Sequence, residues 1–195
     1  MMVSRLMSAV MVLMVFTVPA IAAECVGVSY PGKAVAGGAE LTLNGLGLRE
    51  ATVFNVDVYV AALYLEKRLS SGQEILDSSG PKKLVLKFVR DVSKDDVSGA
   101  WSEGFEKAAG GDLGKLTDRI AKLNGWMTDM GSGDSLTFTY MAKTATDSKI
   151  EINVNGIRKG TIPGNDFAKA FFAIWLGSEP PNEGLKSGLL GGSCG

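Results

Sequence analysis

Hydrophobic and polar positions alternate most cleanly over residues 83–90, KLVLKFVR. Leu84, Leu86 and Phe88 fall on one face of a predicted strand, Lys83 and Lys87 on the other. Upstream, residues 53–65 are apolar at both parities, the pattern of a strand covered on both sides. Residues 39–43 read as a short strand, Asn44-Gly45 as a tight turn, and Gly47 as a point of close backbone approach. Residues 26–36 read as an extended lead-in with a turn at Tyr30-Pro31-Gly32. Further on, Asp134 to Ala142 predicts a strand, and 149–154 with 157–162 a hairpin around Asn155-Gly156.

Helical periodicity takes over between these strands. A polar connection leads into a short helix at 74–78. Ser93 and Asp96 form an N-cap signature ahead of the stripe Val97, Trp101, Phe105, which Gly110-Gly111 ends. Leu113, Leu116, Ile120 and Leu123 mark a second helix stopping near Asn124-Gly125. Asn165-Asp166 is the expected cap of a third, whose buried face is Phe167, Phe171, Ile174 and Trp175 and which Gly177 closes. A short helix over 185–190 follows Pro180-Pro181. Strands, helices, strands and a helix in that order predict an α+β fold, an antiparallel sheet with helices on one face, and one domain.

The first residues are of a different kind. Arg5 precedes an almost unbroken apolar run from Leu6 to Val18, and Ala20-Ile21-Ala22 is a small-x-small cleavage pattern. That run is short of the ~20 residues of a membrane-spanning helix. Residues 1–22 are read as a signal peptide and 23–195 as the mature chain, with cleavage after Ala22 or Ala23 and a periplasmic or secreted destination. An uncleaved N-terminal anchor is the competing reading. Loss of Arg5 leaves 19 basic against 21 acidic residues and no basic stripe, so nucleic acid is not an expected partner.

With no histidine in the chain, Ser-His-Asp and Cys-His catalysis are excluded, as are ordinary zinc and copper sites. No metal and no cofactor are expected. The two cysteines, Cys25 and Cys194, stand at opposite ends of the mature chain, and export makes a disulfide between them a reasonable expectation, with two free thiols as the alternative. Arg49 also reads two ways, as an exposed edge charge or as the polar head of a pocket. Arg90 and Asp91 read as a local ion pair, Tyr64 and Tyr140 as structural.

Several segments in order resemble the chalcone isomerase-like superfamily, its bacterial exported branch in particular. They are LNGLGLRE and VYVAALYLE, then FVRDVS, Ala100-Trp101 and Glu103-Gly104-Phe105, then VNGIRKGTIPG and DFAKAFFAIWLG with a terminal leucine-rich helix. The resemblance spans about residues 28–191. It implies an open-faced sandwich, an antiparallel sheet under a helical layer, with the ligand cleft between them. In the plant enzymes of that superfamily a phenolate adds to an unsaturated ketone, and an arginine after a Gly-x-Gly-like pattern holds the anionic oxygen. Arg49 matches that arginine. Tyr59 stands where those enzymes carry a threonine, and valine (Val97) stands near a position they fill with tyrosine. Arginine with tyrosine is the pattern of the fatty-acid-binding members. The resemblance therefore implies a small apolar anionic ligand, a fatty-acid-like carboxylate, held by Arg49 and Tyr59. An intramolecular lyase using the same two residues, and a structural or partner-binding domain, are the alternatives. Arg49 and Tyr59 are ten residues apart. A straight strand would separate them by about 33 Å, so sharing a ligand requires a reversal near residues 52–55.

Overall fold

The computed structural model describes residues 21–51, 56–109, 113–142, 144 and 147–194. The expected leader (apart from the backbone of its last two residues), the Gly110-Gly111 helix stop and the 52–55 reversal lie outside them. The described chain enters through a hairpin, β1 (Ile21–Cys25) and β2 (Val28–Pro31), reversed at Val26 and Gly27, where φ is positive at 48° and 73°. The lead-in is thus itself paired, and the bend expected near Pro31 passes the chain from this small sheet into the large one.

The large sheet, among the described residues, runs β3 (Lys33–Ala36), β4 (Ala39–Ala51), β5 (Val56–Leu65), β6 (Lys82–Phe88), β7 (Ser135–Ala142), β8 (Ser148–Val154) and β9 (Ile157–Pro163). Spatial order equals sequence order and every neighbouring pair is antiparallel. The β8–β9 turn is the predicted Asn155-Gly156, both with positive φ, as a two-residue hairpin requires.

Helices α1 (Gly72–Asp77), α2 (Lys94–Ala108), α3 (Thr117–Gly125), α4 (Asn165–Leu176) and α5 (Glu183–Leu189) complete the described elements. The Ser93 hydroxyl caps α2 by accepting from the Asp96 amide at 3.1 Å, as its spacing predicts. At α4 the expected Asn165-Asp166 cap is displaced: Gly164 is the N-cap residue, with φ of 108°, and no side chain caps the amides. Asn165 instead accepts from the Tyr140 hydroxyl (2.9 Å), and Asp166 is held by a two-pronged Arg119 fork at 2.6 and 2.8 Å. None of these helices is long and apolar enough to cross a membrane.

Apolar residues of β5 go both ways, as the sequence pattern implied. Tyr59, Ala61, Leu63 and Leu65 face the helices; Val60, Ala62 and Tyr64 face a second cluster with Tyr30, Leu41, Leu46 and Leu48. The sheet face opposite the helices is therefore covered in part by the β1–β2 hairpin. Beneath α2 and α4 the core is aromatic, with Trp101, Phe105, Phe138, Phe167, Phe171 and Trp175 all at 3% exposure or less. Of the other predicted stripe residues, Val97, Leu116, Ile120, Leu123 and Ile174 are buried, whereas Leu113 precedes α3 and is only partly buried.

The Asn44-Gly45 pair departs from the sequence reading. It lies inside β4, at a bulge where Leu43 pairs with Tyr64 but Gly45 pairs with Leu63. The extra residue, Asn44, turns its buried side chain toward residue 69 and α5. Its Oδ1 accepts from the Leu69 amide (2.8 Å), and its Nδ2 donates to the Leu69 and Leu189 carbonyls (3.0 and 2.7 Å). An amide side chain here does what a neighbouring strand would do. Gly45 and Gly47 then leave bare backbone against α5. A Cβ at either would stand 2.1–2.2 Å from the carbonyl oxygens of Gly188 or Leu185.

Candidate functional site

That contact of α5 with β4 determines what surrounds the next residue, Arg49. The α4–α5 connection is pinned by Asn182, whose Nδ2 donates to the Leu48 carbonyl at 3.0 Å. It carries Pro181 to Arg49, so that the guanidinium donates to the carbonyls of Glu50 and, at 3.5 Å, of Pro181. Arg49 has no carboxylate partner among the described residues. It is half-buried at the mouth of a cavity of about 400 Å³ between the sheet and α2.

Register brings the second candidate beside it. Arg49 on β4 is the cross-strand partner of Tyr59 on β5, and Tyr59 is the partner of Phe88 on β6. Directly opposed residues have Cβ atoms about 5 Å apart, against ~33 Å in a straight strand. A second bulge lies here: Arg49 pairs with Tyr59 but Glu50 with Asp57. The unpaired residue, Val58, lines the cavity together with Tyr59, which regular alternation would forbid. The last pair of these two strands is Ala51 with Val56.

The Tyr59 hydroxyl is buried and accepts a hydrogen bond from Trp175 Nε1 at 3.0 Å. An indole N–H can only donate, so the phenol's own proton remains to be given elsewhere, and it has no acceptor among the described residues. Burial pushes the Tyr59 hydroxyl up to about 12, against smaller opposing effects of the Trp175 bond and the Arg49 charge. Tyr59 is thus a proton-bearing donor across the whole neutral range, next to a cation.

The cavity wall facing the sheet comes from α2: Val97, Ala100, Trp101 and Gly104. Its rim is charged, with Arg90, Lys107, Asp91, Asp96, Glu103 and Glu179. Several of these are already engaged. Glu103 pairs with Lys107 at 2.6 Å, which lowers its carboxyl pKa, the Arg49 charge adding a smaller effect. Asp96 accepts from Ser93 Oγ (2.7 Å). The Arg90–Asp91 ion pair read from the sequence does not form. Asp91 accepts instead from the Ser132 amide at 3.3 Å, because the chain after β6 is bridged to residue 130 and carries Asp91 toward that turn. Tyr64 and Tyr140 bond to the Pro31 carbonyl and to Asn165, away from the cavity. Cys25 and Cys194 are bridged, with a Cα–Cα distance of 6.0 Å.

Sequence reading missed the contributions of Trp175 and Asn44. Both carried visible signals, an indole N–H on a buried helical stripe and an amide inside an apolar run, but their partners are set by chain crossings that local pattern does not encode.

The sheet order, the helical layer on one face and the position of the cleft can be matched to a family. The chalcone isomerase-like family model matches residues 22–191. The chain belongs to that family. No curated protein matches it by sequence. Among solved structures, it is similar to a crystal structure of a fatty-acid binding protein from Arabidopsis thaliana, at 15% identity and a TM-score of 0.61, over 84% of this chain and 92% of that one. Identity so low makes this a likeness of fold. The chalcone isomerase-like fold expected from the sequence motifs is the one observed, and Arg49 and Tyr59 lie in its sheet–helix cleft.

Proposed function

We propose that this protein binds a small apolar carboxylate, fatty-acid-like in character, with Arg49 and Tyr59 as the clamp on its head group. The observation that supports this most is the direct pairing of an arginine that has no carboxylate partner among the described residues with a proton-bearing tyrosine at one cavity. A guanidinium can give two parallel hydrogen bonds to a carboxylate and stays charged when desolvated. The phenol adds a neutral donor on the same side. Val58, Phe88, Val97, Ala100 and Trp101 supply apolar wall for the rest of the ligand. The fold likeness to a fatty-acid binding protein agrees with this reading.

An intramolecular lyase would need a group that moves a proton at the reacting atom. Tyr59 holds its proton to about pH 12, which suits holding an anion better than taking a proton from a substrate. We propose further that the protein is exported with residues 1–22 removed, a reading supported by the leader-like composition and by the single disulfide that joins Cys25 to Cys194. Mass spectrometry of material extracted from the exported, purified protein tests both readings. It should find a chain beginning at Ala23 or Glu24 and an apolar acid released on denaturation. An intact Met1, or a protein that takes up no apolar acid when offered one, would overturn the corresponding reading.

A further inference from the structure

We infer that Trp101 is the residue that sets the length of ligand this cavity accepts, and that it restricts the site to short and medium acyl chains. The inference rests on the carboxylate-binding reading above and concerns the opposite end of the same ligand. At about 400 Å³ the cavity lies toward the small end of the ~300–1,000 Å³ typical of small-molecule sites, and its charged rim takes a share of that space. Two side chains at 3% exposure, Trp101 of α2 and Ile174 of α4, close it on the inside, and Trp101 is the larger. Trp101 lines the cavity and is only 3% exposed; behind it stand Trp175, Phe138 and Phe171, with ring centroids 5.4, 5.9 and 6.3 Å away. None of those three rings lines the cavity. The indole therefore separates the slot from the aromatic core.

The other inward direction, between α2 and α4, ends at the Ile174 side chain, which also lines the cavity and packs on the bare backbone of Gly104, where a Cβ would stand 2.7 Å from Ile174 Cγ2. Shortening the Trp101 side chain would extend the slot toward the aromatic core behind it. The Trp101 Nε1–H has no hydrogen-bond partner among the described residues, so replacing the ring by an aliphatic chain breaks no polar contact. Ala100, one position earlier on α2, is exposed and lines the slot nearer its mouth. A larger side chain there fills space without touching the core.

The test is calorimetric titration of the mature, disulfide-bonded protein with straight-chain carboxylates from hexanoate to palmitate. Each added methylene that finds apolar wall tightens binding about fourfold. For the wild type the gain should stop before palmitate. In Trp101→Leu it should continue for at least two further carbons, and in Ala100→Leu it should stop earlier. Ala100→Leu lies on the helix surface, so it keeps the test decisive even where Trp101→Leu does not fold. A gain that continues unbroken to palmitate in the wild type, or a stopping point that neither variant moves, would overturn the role of Trp101 while leaving the carboxylate clamp intact. Wild-type protein that binds none of the series would overturn the clamp, and the length limit with it.

Discussion

Arg49 and Tyr59 act through different kinds of hydrogen bond, and their variants should separate accordingly. Arg49→Ala removes a charge-assisted fork worth about 1.5–3 kcal/mol per bond, so it should weaken an apolar carboxylate roughly tenfold to a hundredfold in calorimetry. Tyr59→Phe removes a neutral donor and should weaken binding less. It also takes the acceptor from Trp175 Nε1, leaving a buried indole N–H unpaired at a cost of about 1–3 kcal/mol of stability. Asn44 makes the corresponding point away from the ligand. Asn44→Ala strands a buried amide and two carbonyls now satisfied by one side chain, and denaturant unfolding should register a loss of about 2–4 kcal/mol. A loss below 1 kcal/mol would mean that water replaces the side chain there.

At the scale of elements, the site is held by α5 lying on bare β4 backbone. Gly47→Ala would drive a methyl into the Leu185 carbonyl, 2.2 Å away, and displace α5 together with the connection that brings Pro181 to Arg49. It should lower the midpoint of thermal unfolding and weaken ligand together. Gly99→Ala is the control: it sits exposed on α2 with nothing within 4 Å of the new methyl, and should stabilise by about 0.5–1 kcal/mol. The sequence made most such elements legible, because alternation in β6, the Ser93 cap and the Asn155-Gly156 turn are local devices that read the same in and out of context. It misled at Asn44-Gly45, where a turn dipeptide serves as a bulge, and at the start of α4, where a glycine with positive φ replaces a polar cap. Arg49 and Tyr59 could be paired in sequence only through family resemblance. Their nearness depends on β4–β5 register, which no periodicity of either strand reveals.

Across the whole molecule, the Cys25–Cys194 bridge closes a loop of 169 residues' separation. In the chain-entropy account it stabilises by about 5 kcal/mol, so reduction should cause a large fall in the unfolding midpoint. Titratable groups shape stability on the alkaline side. Burial lowers Lys82 from its ordinary value to about 8, so its charged form is disfavoured in the folded state. Stability should therefore rise as pH increases from about 8 toward 10, a rise that Lys82→Met should abolish. Tyr59 and Tyr64 are pushed up to about 12 and Tyr30 is raised further, all chiefly by burial. The stability they contribute is complete below pH 10, where unfolded tyrosine keeps its proton, and should be lost as pH climbs from 10 through 12. The central claim, however, is that a cation at the cavity mouth selects an anionic head group on an apolar ligand. It is tested most directly by comparing the dissociation constants of decanoate and its methyl ester for the wild type and for Arg49→Ala. The account predicts that the wild type prefers the acid at least tenfold and that this preference disappears in the variant. Equal affinity of the wild type for acid and ester, or a preference that survives the loss of Arg49, would contradict it.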